Sequence, residues 1–112
     1  MTSGSWNLDN GNYNFSFDFS ASVQSKSYLQ THTGKIIFHT DSDEIDGHNT
    51  EISTFYIELW KGADMVERKN ANRVGSTTVT FTGLANETDY YFKFTKARDN
   101  VQLAGSGYAS QS

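Results

Sequence analysis

From Tyr13 the chain alternates strictly. Tyr13, Phe15, Phe17, Phe19, Ala21 and Val23 are interleaved with Asn14, Ser16, Asp18, Ser20 and Ser22. A period of two over this length predicts a strand with one face in a core and one in water. The same pattern returns in "STFYIELWK", residues 53 to 61, where Phe55, Ile57 and Leu59 alternate with Tyr56, Glu58 and Trp60. It recurs around Val79 and Phe81 in residues 77 to 82, and around Tyr90, Phe92 and Phe94 in residues 89 to 96. Shorter strands are expected at 27 to 32, 35 to 40, 65 to 68 and 101 to 108. Between them lie turn signals, including Lys61-Gly62-Ala63-Asp64 and the polar runs "KNANRVGS" and "ARDN". No window sustains a period of 3.6. Seven to eight short strands in about 100 residues predict an all-β, antiparallel two-sheet β-sandwich. Residues 1 to 12, rich in Gly, Ser and Asn, are expected as a flexible N-terminal arm pinned by Trp6. Residues 13 to 112 are expected as one domain.

One local pattern sharpens the fold. "LANETDYYFKF" carries Leu84, then Thr88 four residues on, then Tyr90 two further. This resembles the corner before the sixth strand of fibronectin type III domains, within the wider immunoglobulin-like class. There a tyrosine ring enters the core while its hydroxyl bonds backbone just upstream. The Pro usual in that family's turn is Asn86 here, and Phe38 stands nearest to its missing second-strand Trp. The resemblance covers residues 34 to 108 and takes in "GSGYAS" as part of the closing strands. It implies a fibronectin III-like binding or spacer module and brings no catalytic residue with it.

Composition narrows the function. The 112 residues suffice for one core, burying roughly 65% of the unfolded surface. There is no Cys and no Pro, so disulfides, thiolate metal sites and proline-rich linkers are excluded. Nine basic residues against 13 acidic ones, net −4, argue against nucleic acid as a partner, because that affinity comes from clustered Lys and Arg. No apolar run is long enough for a membrane-spanning helix. Met1 to Ser5 lack the features of a signal peptide. The Ser-, Thr- and Asn-rich composition favours a mature secreted or cell-surface domain over a cytoplasmic protein. "NFS" at 14 to 16 and "NET" at 86 to 88 fit the glycosylation sequon, which matters only on a eukaryotic secretory route.

Two places carry candidate chemistry. "HTDSDEIDGHN", residues 39 to 49, is expected as an acidic loop between strands. Asp41, Asp43 and Asp46, with Glu44, supply the hard oxygen donors that calcium takes. The spacing is not that of the helical calcium loop, since the third Asp is one place late and Glu51 follows Gly47 by four. His39 and His48, with Asp41, are a rival zinc or copper set. The plain alternative is a solvated loop whose acids discourage edge pairing. The second place is aromatic. With Phe55, Ile57 and Leu59 inward, Tyr56, Glu58 and Trp60 point outward. Tyr91 and Lys93 point outward from a strand that the fibronectin-like resemblance implies is its neighbour. Together they form an outer patch suited to a protein or glycan ligand, unless Trp6 or Tyr28 covers it. No nucleophile elbow, Gly-rich phosphate loop or singled-out carboxylate pair asks for an enzyme. The leading expectation is therefore a non-enzymatic extracellular interaction module using the outer aromatic face, with no required cofactor. One alternative is a calcium-assisted carbohydrate-binding module. Another is a small secreted bacterial effector or matrix protein that assembles through sheet edges.

Overall fold

A computed structural model describes residues 4–25, 27–47, 51–97 and 99–111. Ten strands follow in chain order: β1 (Ser5–Asn7), β2 (Tyr13–Phe19), β3 (Ser22–Gln24), β4 (Tyr28–Gln30), β5 (Ile36–Asp46), β6 (Thr54–Lys61), β7 (Asp64–Asn72), β8 (Gly75–Phe81), β9 (Tyr91–Thr95) and β10 (Gln102–Ser110). A 3-10 turn, Leu8–Asn10, is capped by the Asn7 side chain, which accepts from the Asp9 N–H at 2.9 Å. Two four-stranded antiparallel sheets result. The first has the order β2-β10-β5-β8 and the second β3-β9-β6-β7. The expected all-β sandwich is present, with more strands than the seven to eight read from the sequence. No helix is long and apolar enough to cross a membrane among the described residues.

The alternating aromatic run behaves as its period predicts up to Phe19, then breaks. β2 belongs to the first sheet, the chain crosses over at Ser20 and Ala21, and β3 pairs with β9 in the second. The inward rings of β2 therefore meet those of β9 from across the sandwich. Phe17 and Phe94 are 4.8 Å apart at 80°, and Phe15 and Phe92 are 5.0 Å apart. Phe38, Phe55 and Phe81 complete an interlocked aromatic core together with Leu29, Ile36, Ile57, Leu59 and Leu103. Such edge-to-face contacts add to simple area burial.

β10 is placed unexpectedly. In the immunoglobulin arrangement the last strand shares a sheet with the one before it. Here β9 lies in the second sheet, and β10 sits in the first between β2 and β5. Gly105 and Gly107 make this possible. Both sit on the inward face, paired with Phe17 and Phe15 on one side and with Ser42 and Thr40 on the other. A Cβ at either position would overlap the carbonyl oxygen of Asp41 or His39. β10 thus presents two inward positions without side chains to β5, with the tip of the Phe17 ring directly over Gly105.

The expected N-terminal arm contributes β1, which runs parallel to β4. Leu8 is buried, and the Trp6 ring tilts against Tyr13 at 6.1 Å while its Nε1 donates to the Gly11 carbonyl. The tyrosine corner is formed. Tyr90 is buried, and its hydroxyl oxygen accepts from the Ala85 N–H at 2.9 Å. Tyr90→Phe keeps the ring and removes that acceptor. It is expected to cost about 0.5–1.5 kcal/mol, a fall in melting midpoint of roughly 2–12 °C read by circular dichroism.

Candidate functional site

The outer face of the second sheet assembles the aromatic residues expected from the sequence. Phe55, Ile57 and Leu59 are fully buried, so the intervening residues of β6 project away from the core. Ladder pairing then sets rows across three strands. Tyr91, Trp60 and Met65 form one row, Lys93, Glu58 and Arg68 the next, and Thr95, Tyr56 and Asn70 a third. Gln24 of β3 extends the middle row beside Lys93.

Within this grid the side chains hold one another. Trp60 and Tyr91 stack at 6.1 Å with 14° between their planes. Lys93 Nζ lies 5.1 Å from the Trp60 ring centre, and the Arg68 guanidinium carbon lies 4.8 Å from that of Tyr56. The Tyr91 hydroxyl donates to the Gly62 carbonyl at 2.8 Å, fixing the ring at the β6–β7 turn. Tyr28 meets Tyr91 edge-on at 6.0 Å and covers one flank of the patch. Trp6, the other expected cover, packs on Tyr13 instead.

Glu58 needs a correction. It is expected to point outward as an exposed member of the patch, and it does face the outer side of the sheet, yet it is only 4% exposed. Its Oε1 accepts from Trp60 Nε1 at 3.0 Å. Its Oε2 accepts from Arg68 Nε at 3.1 Å, from Arg68 Nη2 at 2.9 Å and from the Thr95 hydroxyl at 3.2 Å. The carboxylate is the floor of the patch: it aims the indole and the guanidinium, both of which reach the surface. Charge-assisted bonds of this kind are the stronger class. Arg68 and Met65 were not singled out from the sequence. Their places depend on a register shift between Leu59 and Trp60, which sets Met65 opposite Trp60.

The acidic stretch is a strand and not a loop. β5 runs on through Asp46, paired with β10 on one side and, as far as Ser42, with β8 on the other. Asp41 and Asp43 project from the outer face of the first sheet, while Ser42 and Glu44 turn inward. Asp41 lies within 3.4 Å of the Ser76 hydroxyl, and Asp43 accepts its neighbour Glu44's N–H. Asp46 ends the strand opposite Gln102, beyond a bulge. His39 stacks on Tyr108 at 5.2 Å and its Nδ1 lies 3.0 Å from the Thr78 hydroxyl. Among the described residues, no three His, Asp or Glu side chains gather as a metal site. His48 lies outside the described residues.

Glu44 belongs to a cluster the sequence did not reveal. Arg73 is 1% exposed and donates from Nη1 to Asp99 at 2.8 Å, with Glu44 at 3.7 Å. Its Nε donates to the Thr54 carbonyl at 2.9 Å. The buried ammonium of Lys96 completes the set, 2.7 Å from Asp99. Among the described residues, two cations and two carboxylates thus meet in one buried cluster.

A cleft of about 260 Å³ enters between β2 and β3, lined by Tyr13, Phe15, Phe17, Val23, Phe92 and Phe94, with Asn14, Ser16, Gln24 and Ser25 also lining it.

No family model matches the chain. No curated protein is significantly similar to it in sequence. Among solved structures, the crystal structure of Aeromonas hydrophila PliG, a periplasmic lysozyme inhibitor of g-type lysozyme, is similar over 97% of this chain and 95% of that chain. The TM-score is 0.44 and the identity 11%. A likeness of that degree is one of outline, and the inhibitory role is PliG's own.

Proposed function

We propose that this protein is a non-enzymatic interaction module that binds a protein partner through the outer face of the second sheet. The observation that carries the proposal is the Glu58 carboxylate, buried beneath the patch and holding Trp60 and Arg68 in place. Trp, Tyr and Arg are the residue types that dominate binding energy at protein interfaces. Anchors fixed before contact lose less freedom on binding. Lys93 and Arg68 flank the rings, with Glu58 neutralising one charge, so the surface suits a partner offering an apolar projection beside carboxylates or carbonyls.

A glycan platform is less favoured. Trp60 stands between Tyr91 on one neighbouring strand and its ladder partner Met65 on the other, with Lys93 over its ring. It offers a sugar no broad open face. Calcium assistance has less support still, since Asp41 and Asp43 project from a paired strand of the other sheet. The tyrosine corner at Tyr90 and the Ser- and Thr-rich composition support a secreted or surface module of this kind.

The test is selection of binders from a displayed random-peptide library against the folded protein. Enriched peptides should lose about 30-fold in affinity, roughly 2 kcal/mol, to Tyr56→Ala or Lys93→Ala, with the melting curve unchanged. Peptides indifferent to both substitutions, or a glycan array that yields Trp60-dependent binding instead, would overturn the assignment.

A further inference from the structure

The two sheets present four edges, and proteins blunt such edges with charge, bulges, brevity or cover. β7 carries Asp64, Glu67, Arg68 and Lys69 and has an irregular ladder. β3 has only three residues. β8 lies on the side where Lys69 reaches over the Phe81 ring at 5.7 Å. Among the described residues β2 is the least protected, with the Trp6 ring against Tyr13 at one end and one charged side chain. It runs seven residues, "YNFSFDF", without Lys, Arg or Pro, in unbroken register with β10 alone. Its single charge, Asp18, is hydrogen-bonded to Gln102 of that neighbour. Tyr13 and Phe15 are only half-buried beside the open cleft.

The strand is also complementary to itself. Only one antiparallel register pairs all seven residues with a second copy, and its two-fold axis passes through Ser16. Phe15 then faces Phe17, Tyr13 faces Phe19, and Asn14 faces Asp18. The inward side becomes a run of aromatic cross-strand pairs, the favourable kind. The outward side places each Asp18 against an amide and not against another carboxylate. We infer that two copies of this chain join edge to edge through β2, in the register centred on Ser16, to continue the first sheet across a two-fold axis. The second β2 lies across the mouth of the cleft and covers Tyr13 and Phe15. This interface uses a different sheet from the proposed ligand face and does not depend on it.

Sedimentation of the full chain over a range of concentrations should show a monomer–dimer equilibrium. Ser16→Lys sets two ammonium groups face to face and should shift the sample to monomer with its melt otherwise intact. Ser16→Cys, the only cysteine of such a chain, should oxidise to a covalent dimer, because directly opposed residues lie within disulfide reach. Asn14→Cys alone should not cross-link, whereas a mixture of Asn14→Cys and Asp18→Cys chains should. Tyr56→Ala should leave the dimer unchanged. A chain still monomeric at about 1 mM, a free energy near −4 kcal/mol, overturns the inference. So does a dimer that survives Ser16→Lys, or one that fails to cross-link at residue 16.

Discussion

Arg73→Met is expected to destabilise the protein by about 3–5 kcal/mol, the usual cost of stripping one partner from a buried ion cluster. Whole-domain stabilities are roughly 5–15 kcal/mol, so the loss is a large fraction of the total. The side chain is 1% exposed and holds three partners from distant parts of the chain: the Thr54 carbonyl, Asp99 and Glu44. Methionine fills part of the volume but removes the guanidinium that the Asp99 and Glu44 carboxylates face. Urea denaturation would read the change in midpoint, and repeating it at high salt would identify the cause. Buried pairs are screened far less than exposed ones, so the difference between wild type and variant should persist in 1 M salt, where the Debye length is about 3 Å. A loss below about 1 kcal/mol would mean that the cluster adds little beyond packing. A double-mutant cycle with Asp99→Asn should show coupling of at least about 1 kcal/mol between the two positions.

Phe94→Ala should be as damaging for a different reason. The ring lies within 6.3 Å, centre to centre, of Phe15, Phe17, Phe19, Phe55 and Phe92, which come from two other strands as well as its own. It is the point at which the two sheets interlock. Deleting a buried phenyl ring typically costs 3–5 kcal/mol, part of it from the void left behind. The thermal midpoint should fall by about 15 °C or more. Phe94→Leu, which retains most of the apolar volume, should lose clearly less. If Phe94→Leu melted with the wild type, the ring would be acting as generic apolar volume and not as part of an interlocked set.

The two residues mark where sequence reading works and where it stops. Phe94 sits in a clean alternation with Tyr90 and Phe92, so its inward position followed from period alone. The tyrosine corner was equally legible, because Ala85 and Tyr90 are five residues apart and the whole motif is local. So was the direction of Tyr56 and Trp60, set by the apolar residues between them. Arg73 had no such signal. It stands at the corner between β7 and β8, and its counter-ions are 26 and 29 residues away. The acidic strand was hidden for a related reason. Its inward positions beyond Phe38 are Thr40, Ser42 and Glu44, so the alternation continues in polar residues and hydrophobicity cannot register it. Ser42 is satisfied inside by the carbonyls of Asn72 and Arg73, and Glu44 by Arg73 itself. The strand exists because of partners that only the fold supplies. The burial of Glu58 follows the same logic, since its donors come from β6, β7 and β9 together.

The insertion of β10 between β2 and β5 governs when the protein can form at all. During synthesis β10 leaves the ribosome after every other strand described here, yet it is the only strand that joins β2 to the rest of its sheet. Until then the aromatic strand at the start of the chain has no ladder to enter, however long it has been in solution. β3, β6, β7 and β9 can pair earlier, so the nascent chain would hold one sheet complete and the other in two parts. Closing it across some 90 residues of sequence is the kind of distant contact that slows β proteins to milliseconds or seconds. A chain cut short before Gln102 would not merely lose an edge; it would leave β2 without a sheet and the rings of the core without their lid.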